Sequence, residues 1–271
     1  MDVPATLRVL EREPTIAATG FVSAASFQGG PPASNEIITI FGSGLGPSQL
    51  INAFVPEAGS LATSLGGTSV EFQGEPLQLL YVQDQSIAAI LPTTIYGAPG
   101  QLQIKLGGTV GPSASIPAPP YGPGVNGSSF APALFTLNSS GQGNVAAVNA
   151  DGTINSPNRP AARGSLVLLF GTGFRGCGDR NFGFPFPDST LVPGNPSPVE
   201  AFIGGKPAYI LYSGSAPATT CGLQQFNLVI PDDSVIGPAV PLRLSIPYPG
   251  SSIFDPYGWF VTPSGTTLAI R

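Results

Sequence analysis

The chain has 271 residues, enough for about two domains, and 42% of them are hydrophobic while only 9% are charged. The net charge is −5 with just 10 basic residues and no basic cluster, which argues against wrapping a nucleic-acid backbone. No apolar run reaches the about 18 residues of a membrane helix, and the opening MDVPATLRVLEREP has no apolar stretch of the kind a signal peptide carries. Gly (36) and Pro (31) make up about a quarter of the chain. Long helices are therefore excluded, and the strand-length apolar runs between Gly/Pro turns read as folded β structure.

In chain order, residues 1–15 read as an N-terminal tail and Ile16–Phe27 as a first edge strand. A first unit, bounded at 16–120, offers strands at Ile37–Phe41, Thr68–Phe72, Leu77–Val82, Ile87–Leu91 and Leu102–Leu106, with a hairpin turn at Gln73-Gly74-Glu75. In the last of these strands Leu102, Ile104 and Leu106 point inward while Gln103 and Lys105 point outward. A connecting segment, 121–164, carries Asp151-Gly152 between Asn144–Val148 and Thr153–Asn155, a hairpin signal. Its apolar residues favour a ribbon packed on the second unit. That second unit, 165–271, offers strands at Leu166–Phe170, Ala201–Ile203, Ala208–Tyr212, Phe226–Ile230 and Val240–Ile246.

The two units read as copies of one design. Ser165–Gly173 (SLVLLFGTG) restates Glu36–Gly44 (EIITIFGSG), with Phe170 standing 129 residues after Phe41. Pro207 and Tyr212 follow Pro76 and Tyr81 by 131 residues, and Gln224–Pro231 follows Gln85–Pro92 by 139. Four matches in order, with a slowly growing offset, describe an internal repeat with small loop insertions. Each opening phrase is apolar and β-branched-rich before its Gly-x-Gly, which suits a buried strand leaving its sheet through a tight turn.

The phrases Ala24–Phe27, Ile37–Gly44, Gly66–Val70, Leu79–Val82, Gln85–Pro92, Ala131–Thr136, Asn149–Pro157 and Pro160–Gly164 form an ordered set. Together they resemble the Solibacter-type C-terminal domain family of large secreted acidobacterial proteins, from about residue 16 to residue 271. The units are also similar to immunoglobulin-like IPT/TIG domains. The resemblance implies β-sandwich modules in an exported setting, and it carries no established catalytic residues to transfer.

Candidate chemistry is sparse. Gly171–Gly176 (GTGFRG) fits a dinucleotide fingerprint in letters, but CGDRNFGFPFPD follows where a helix would have to start, so a strand-ending turn is the reading. Histidine is absent, which excludes Ser-His-Asp and Cys-His catalysis and His-based zinc sites. A carboxylate pair of the glycosidase kind would have to come from Asp179, Asp188, Glu200, Asp232, Asp233 or Asp255. Asn149–Asn155 (NADGTIN) alternates oxygen-bearing side chains as a calcium loop does, yet lacks the multiple carboxylates and closing Glu, so a hairpin turn explains it better and no cofactor or metal is expected. Cys177 and Cys221 are the only cysteines, both in insertions of the second unit. In an oxidising compartment they would form one disulfide contributing roughly 4 kcal/mol, two buried free thiols being the alternative.

Aromatic residues concentrate in two loops of the second unit, with Phe182, Phe184 and Phe186 in one and Tyr257 and Trp259 in the other. Such rings serve as sugar platforms or as protein anchors, and the plainer reading is that they close the ends of the core. The expectation is an all-β chain of two tandem immunoglobulin-like sandwiches, extracellular or on the cell surface. It would be non-catalytic and act through a protein partner or self-association. Carbohydrate binding is the alternative, and a carboxylate-based glycan enzyme comes behind it.

Overall fold

The computed structural model describes residues 13–53, 61–93, 95, 99–117, 130–174, 192–193, 199–217, 219–220, 222–247 and 259–271. The described secondary structure is all β.

The first unit is a two-sheet sandwich. Its strands are β1 (Thr15–Ser23), β2 (Ile37–Ser43), β3 (Ile51–Asn52), β4 (Ser64–Leu65), β5 (Thr68–Phe72), β6 (Glu75–Pro76), β7 (Gln78–Gln83), β8 (Ser86–Ile90), β9 (Gly100–Leu106), β10 (Thr109–Val110) and β11 (Ala114–Ile116). One sheet runs β1-β2-β8-β7-β3; the other runs β10-β9-β5-β4, with β11 on β9 and β6 on β5. Alternation sets the faces: Val70, Phe72, Leu102 and Ile104 point into the core against Ile38, Ile40, Leu79 and Ile87 of the facing sheet. On the outer side Lys105 pairs with Glu71.

The second unit departs from that plan. Its strands are β12 (Ala133–Leu134), β13 (Gly143–Asn144), β14 (Ala147–Asn149), β15 (Leu166–Thr172), β16 (Val192–Pro193), β17 (Glu200–Ile203), β18 (Lys206–Ser215), β19 (Gln224–Val229), β20 (Gly237–Pro247), β21 (Trp259–Val261) and β22 (Thr266–Ile270). They form one 11-stranded sheet, β12-β15-β19-β18-β17-β20-β22-β13 with three side pairings, instead of two separate sheets. The cause is β18. Its first residues pair with β17 (Ala208 with Ala201) and its later ones with β19 (Ser213 with Phe226), so a single strand belongs to both layers. In the first unit the same stretch is split into β6 and β7, which pair with different sheets. The continuous sheet folds over one core that includes Leu169, Phe226, Leu228, Leu244 and Leu268.

Register repeats between the units at the sequence offsets. Ile40 faces Ile87 as Leu169 faces Phe226. The ladder between β7 and β8 slips between Leu79 and Tyr81, and that between β18 and β19 slips between Ile210 and Tyr212. The turn at Gln73-Gly74 has both residues at positive φ, as does Gly204-Gly205, the backbone of a two-residue hairpin loop. The Gly-x-Gly phrase also acquires a packing reason. A Cβ on Gly42 would meet the Thr15 carbonyl at 2.1 Å, and one on Gly171 would meet the Ala133 carbonyl at 2.6 Å. Glycine there lets the preceding strand close against the sheet, which accounts for the motif without a nucleotide.

The connecting segment is built into the second unit. β12 and β14 pair with β15, β13 runs parallel to β22, and Ala161 bridges Ile270. The turn at Asp151-Gly152 forms, but its hairpin is reduced to a single bridge between Val148 and Ile154. Side chains take over from the ladder. Buried Asn155 exchanges two hydrogen bonds with the Ala269 backbone and donates to Asn149 Oδ1, while Asn149 donates to the Arg159 carbonyl. Asp151 Oδ1 accepts from the Thr153 amide and hydroxyl, and these bonds lower its pKa. The NADGTIN oxygens are thus engaged in fastening this loop to the last strand.

Candidate interaction surface

Both units present a sheet face away from their cores, and the two faces differ in what lies on them. In the first unit that face carries Ile37 of β2, Ile90 of β8, and Gln78 and Leu80 of β7. Ile37 is 7% exposed and Gln78 is 4% exposed. Ile37 and Ile90 form a small apolar cluster with Leu61, against which Leu80 and, from the second unit, Phe135 and Leu223 pack. A buried hydrogen bond crosses the same seam: the Ile37 amide donates to Thr172 Oγ1 at 2.8 Å. The approach is close enough that a Cβ on Gly222 would meet Ile37 at 2.6 Å and the Asn35 carbonyl at 2.8 Å.

Of the matching positions of the second unit, two are open and two are half-buried. By the offsets of the repeat, Ile37, Ile90, Gln78 and Leu80 correspond to Leu166, Val229, Tyr209 and Leu211. The ladder bears this out, since Ile90 faces both Ile37 and Gln78 as Val229 faces both Leu166 and Tyr209. Tyr209 is 70% exposed and Leu211 58%. Leu166, Leu168, Phe170 and Val229 are half-buried on the same side, and Ile154 is 52% exposed beyond Val148 at its margin. The sequence reading of Ser165–Gly173 as a buried strand is refined here: Val167 and Leu169 enter the core, while Leu166, Leu168 and Phe170 are half-buried on the other side. Asn227 faces Leu168 and Gln225 faces Phe170 on the same side, so the exposed apolar residues gather around Tyr209 and Leu211, where such a cluster marks a candidate interaction site.

A second feature sits at the seam. Glu36 lies just before β2, 2% exposed, among Phe21, Ser23, Phe130, Pro132 and Phe260, which line a cleft of about 370 Å³ between the units. Burial pushes its carboxyl pKa up to about 7. The Ala33 amide donates to Oε2 at 2.8 Å and opposes that rise. The nearby Ser23 hydroxyl pulls in the same direction but completes no well-formed hydrogen bond.

Of the residues singled out from the sequence, Phe182, Phe184, Phe186, Tyr257, Cys177 and Cys221 lie outside the described residues, and so do Asp179, Asp188 and Asp255. Trp259 opens β21, paired with Pro247. Glu200 is exposed at the start of β17. Asp233 forms an ion pair with Lys206 at 2.8 Å, and that hydrogen bond lowers its pKa. The residues that reasoning from sequence passed over are Tyr209, Leu211, Ile154 and Glu36. For Tyr209 and Leu211 the signal was present: Ala208–Tyr212 (AYILY) is apolar on both faces of its strand, where a half-buried strand alternates.

Comparison with known proteins bears on the first unit. Residues 21–118 match the IPT/TIG domain family. The match spans most of β1 to β11 and marks this unit as an immunoglobulin-like module of the non-catalytic, protein-interaction and adhesion type. No curated protein matches the chain. Among solved structures, the chain is similar to the Plexin A4 full extracellular region at 13% identity and a TM-score of 0.27, over 85% of this chain and 16% of that one. It thus spans about a sixth of that structure's length. No helix among the described residues is long and apolar enough to cross a membrane.

Proposed function

We propose that the chain is a non-catalytic structural or adhesion unit that works outside the cell by protein contact, with the second unit supplying the contact surface. The observation that carries this reading is the pair of exposed apolar side chains, Tyr209 and Leu211, on the outer face of β18, with half-buried Leu166, Leu168 and Val229 of β15 and β19 on the same face. Burying such residues contributes about 25 cal/mol per Å², and neighbouring apolar side chains exposed together favour a partner. The IPT/TIG match of the first unit supports a binding role over a catalytic one. The scarcity of charge and the acidobacterial secreted-module resemblance support the exported setting. The shared registers support reading the second unit as a diverged duplicate of the first.

The test is a double substitution, Tyr209→Asp with Leu211→Asp, followed by thermal melting and by binding of an apolar fluorescent dye. The expected result is an unchanged Tm with loss of most dye binding. A large drop in Tm, with no dye bound by the parent protein, would show these residues serving the chain's own core and would sink the reading.

A further inference from the structure

We infer that the cleft between the two units is a binding site for a small primary alkylammonium ion, with Glu36 as its counter-charge and phenylalanine rings as its walls. The cleft shares no lining residue with the surface around Tyr209 and Leu211. The inference goes beyond the protein-contact reading and does not depend on it.

Separate parts of the chain build the cleft. Phe21 and Ser23 come from β1 and Glu36 from the turn into β2. Phe130 and Phe260 come from the second unit, with ring centroids 5.1 Å apart. The space is about 370 Å³, within the range of small-molecule sites. Glu36 is 2% exposed, and it is the only charged or titratable side chain among the residues that line the cleft. Its Oε2 accepts from the Ala33 amide, and the carboxylate has capacity for further donors. Ser23 is buried, lines the same cleft, and its Oγ completes no hydrogen bond. A buried hydroxyl of this kind calls for a partner.

The carboxyl is more than the local turn needs. At the corresponding position the second unit has Ser165, whose hydroxyl donates to the Ala162 carbonyl three residues back, where Glu36 takes the Ala33 amide three residues back. A serine therefore suffices to tie down this strand entry. Glutamate there puts an acid among aromatic rings, with no basic side chain lining the cleft to meet it. Burial raises its pKa, and no charged neighbour contributes to the shift. The chemistry that completes this set is a cation with N–H donors and a short apolar stem. A primary ammonium pairs with Glu36, donates a hydrogen bond to Ser23 Oγ, and lays its methylenes and charge against the rings. A quaternary ammonium lacks the donors, and an anion or a neutral sugar leaves the buried acid without a counter-charge.

The experiment titrates n-butylammonium chloride into the full chain by calorimetry, at mildly alkaline pH and constant ionic strength. The comparison ligands are n-butanol, neutral and of similar length, and tetramethylammonium. The variants are Glu36→Gln and Ser23→Ala, with melting curves to check folding; Glu36→Ser, the side chain the second unit uses there, replaces Glu36→Gln if that variant is unfolded. The expected result is saturable binding of butylammonium, about tenfold or more tighter than either comparison ligand. Glu36→Gln should erase that preference, and Ser23→Ala should weaken butylammonium several-fold without changing n-butanol. Glu36 ionises near 7, whereas an alkylammonium keeps its proton to about pH 10. Affinity should therefore be level above about pH 7 and fall about tenfold per unit below it. That dependence should vanish in Glu36→Gln.

Binding of n-butanol as tight as that of butylammonium, in the parent and in Glu36→Gln alike, would mean a merely apolar cleft and would overturn the inference. So would the absence of saturable butylammonium binding. Tetramethylammonium binding as tightly as butylammonium would overturn the assignment to a primary ammonium. Butylammonium binding that persists unchanged in Glu36→Gln at every pH would place the cation elsewhere on this acidic chain, and the cleft would lose its role. None of these outcomes bears on Tyr209 or Leu211, so the protein-contact reading stands or falls on its own test.

Discussion

The two units share their strand registers and differ in how they finish their surfaces. The first breaks its middle strand into β6 and β7, keeps two separate sheets, and has its outer face covered by its own Leu61 and by Phe135 and Leu223 of the second unit. The second runs β18 unbroken through both layers and leaves Tyr209 and Leu211 of the equivalent face to solvent. The comparison teaches that core and outer face vary independently. Positions pointing inward are apolar in both copies: Ile40 and Leu169, Ile87 and Phe226, Ile104 and Leu244. Outward positions have been reassigned, with buried Gln78 in one copy standing where exposed Tyr209 stands in the other.

The largest expected effect tests whether the two cores are energetically one. Phe226 is fully buried and packs on Phe174 with ring centroids 4.5 Å apart. Phe226→Ala should cost about 3–5 kcal/mol, and its counterpart Ile87→Ala about 2–5 kcal/mol. The chain's single tryptophan, Trp259, lies in the second unit and reports on it during denaturant titration. The buried seam should couple the units, so Ile87→Ala should also shift the tryptophan transition. A transition that moves only with Phe226→Ala would show two units that unfold separately.

Glu36 has no acidic counterpart in the second unit, where Ser165 stands at its position, and this sets up the next effect. Its carboxyl ionises near 4.5 when unfolded and near 7 when folded. The folded chain therefore holds the extra proton across that window, and stability falls as pH rises from about 4.5 to about 7 and is level above it. The loss amounts to roughly 3 kcal/mol. Glu36→Gln keeps an acceptor for the Ala33 amide and should flatten the slope, read as ΔG of unfolding against pH. A slope that survives the substitution would place its origin elsewhere.

Smaller effects come from the seam hydroxyl. Thr172→Val leaves the Ile37 amide buried without its acceptor, and should cost about 1–3 kcal/mol. Ser43→Ala at the equivalent exposed position should change stability by less than about 0.5 kcal/mol. Equal effects would mean that the seam bond contributes nothing.

Much of the fold was legible in the sequence because strand faces follow a period of two, and the repeated phrases established which runs correspond. Leu102 and Ile104, and later Leu242 and Leu244, point inward as their alternation requires. What was not legible was the behaviour of β18. Lys206–Ser215 differs from Glu75–Gln83 by a change in pairing across an unbroken backbone, and no local residue preference announces that a strand serves two layers. The interaction surface was half legible. An apolar run such as AYILY states that both faces are apolar, but whether the second face is covered depends on the neighbour that reaches it. The Gly-x-Gly phrase read as a turn, while its further role of admitting a carbonyl from the preceding strand emerged only with the pairing of β1 and β12.

The smallest effect is the sharpest test of the comparison, because it sets two leucines at equivalent positions against each other. Leu80 packs in the seam cluster and Leu211 stands in water. Placing a carboxylate at Leu80 removes apolar contact and brings a charge into a half-buried seam, so Leu80→Asp should cost about 1 kcal/mol or more. Leu211→Asp changes a side chain that touches little, and its effect on the monomer should stay within about 0.5 kcal/mol. The measurement is the denaturant midpoint of each variant at a concentration where the chain is monomeric, with the m-value unchanged. If Leu211→Asp destabilises as much as Leu80→Asp, the second face is already covered within the monomer and the two units finish their surfaces alike. If only Leu80→Asp does, the cost at Leu211 will surface in association alone, which separates a residue kept for folding from one kept for contact.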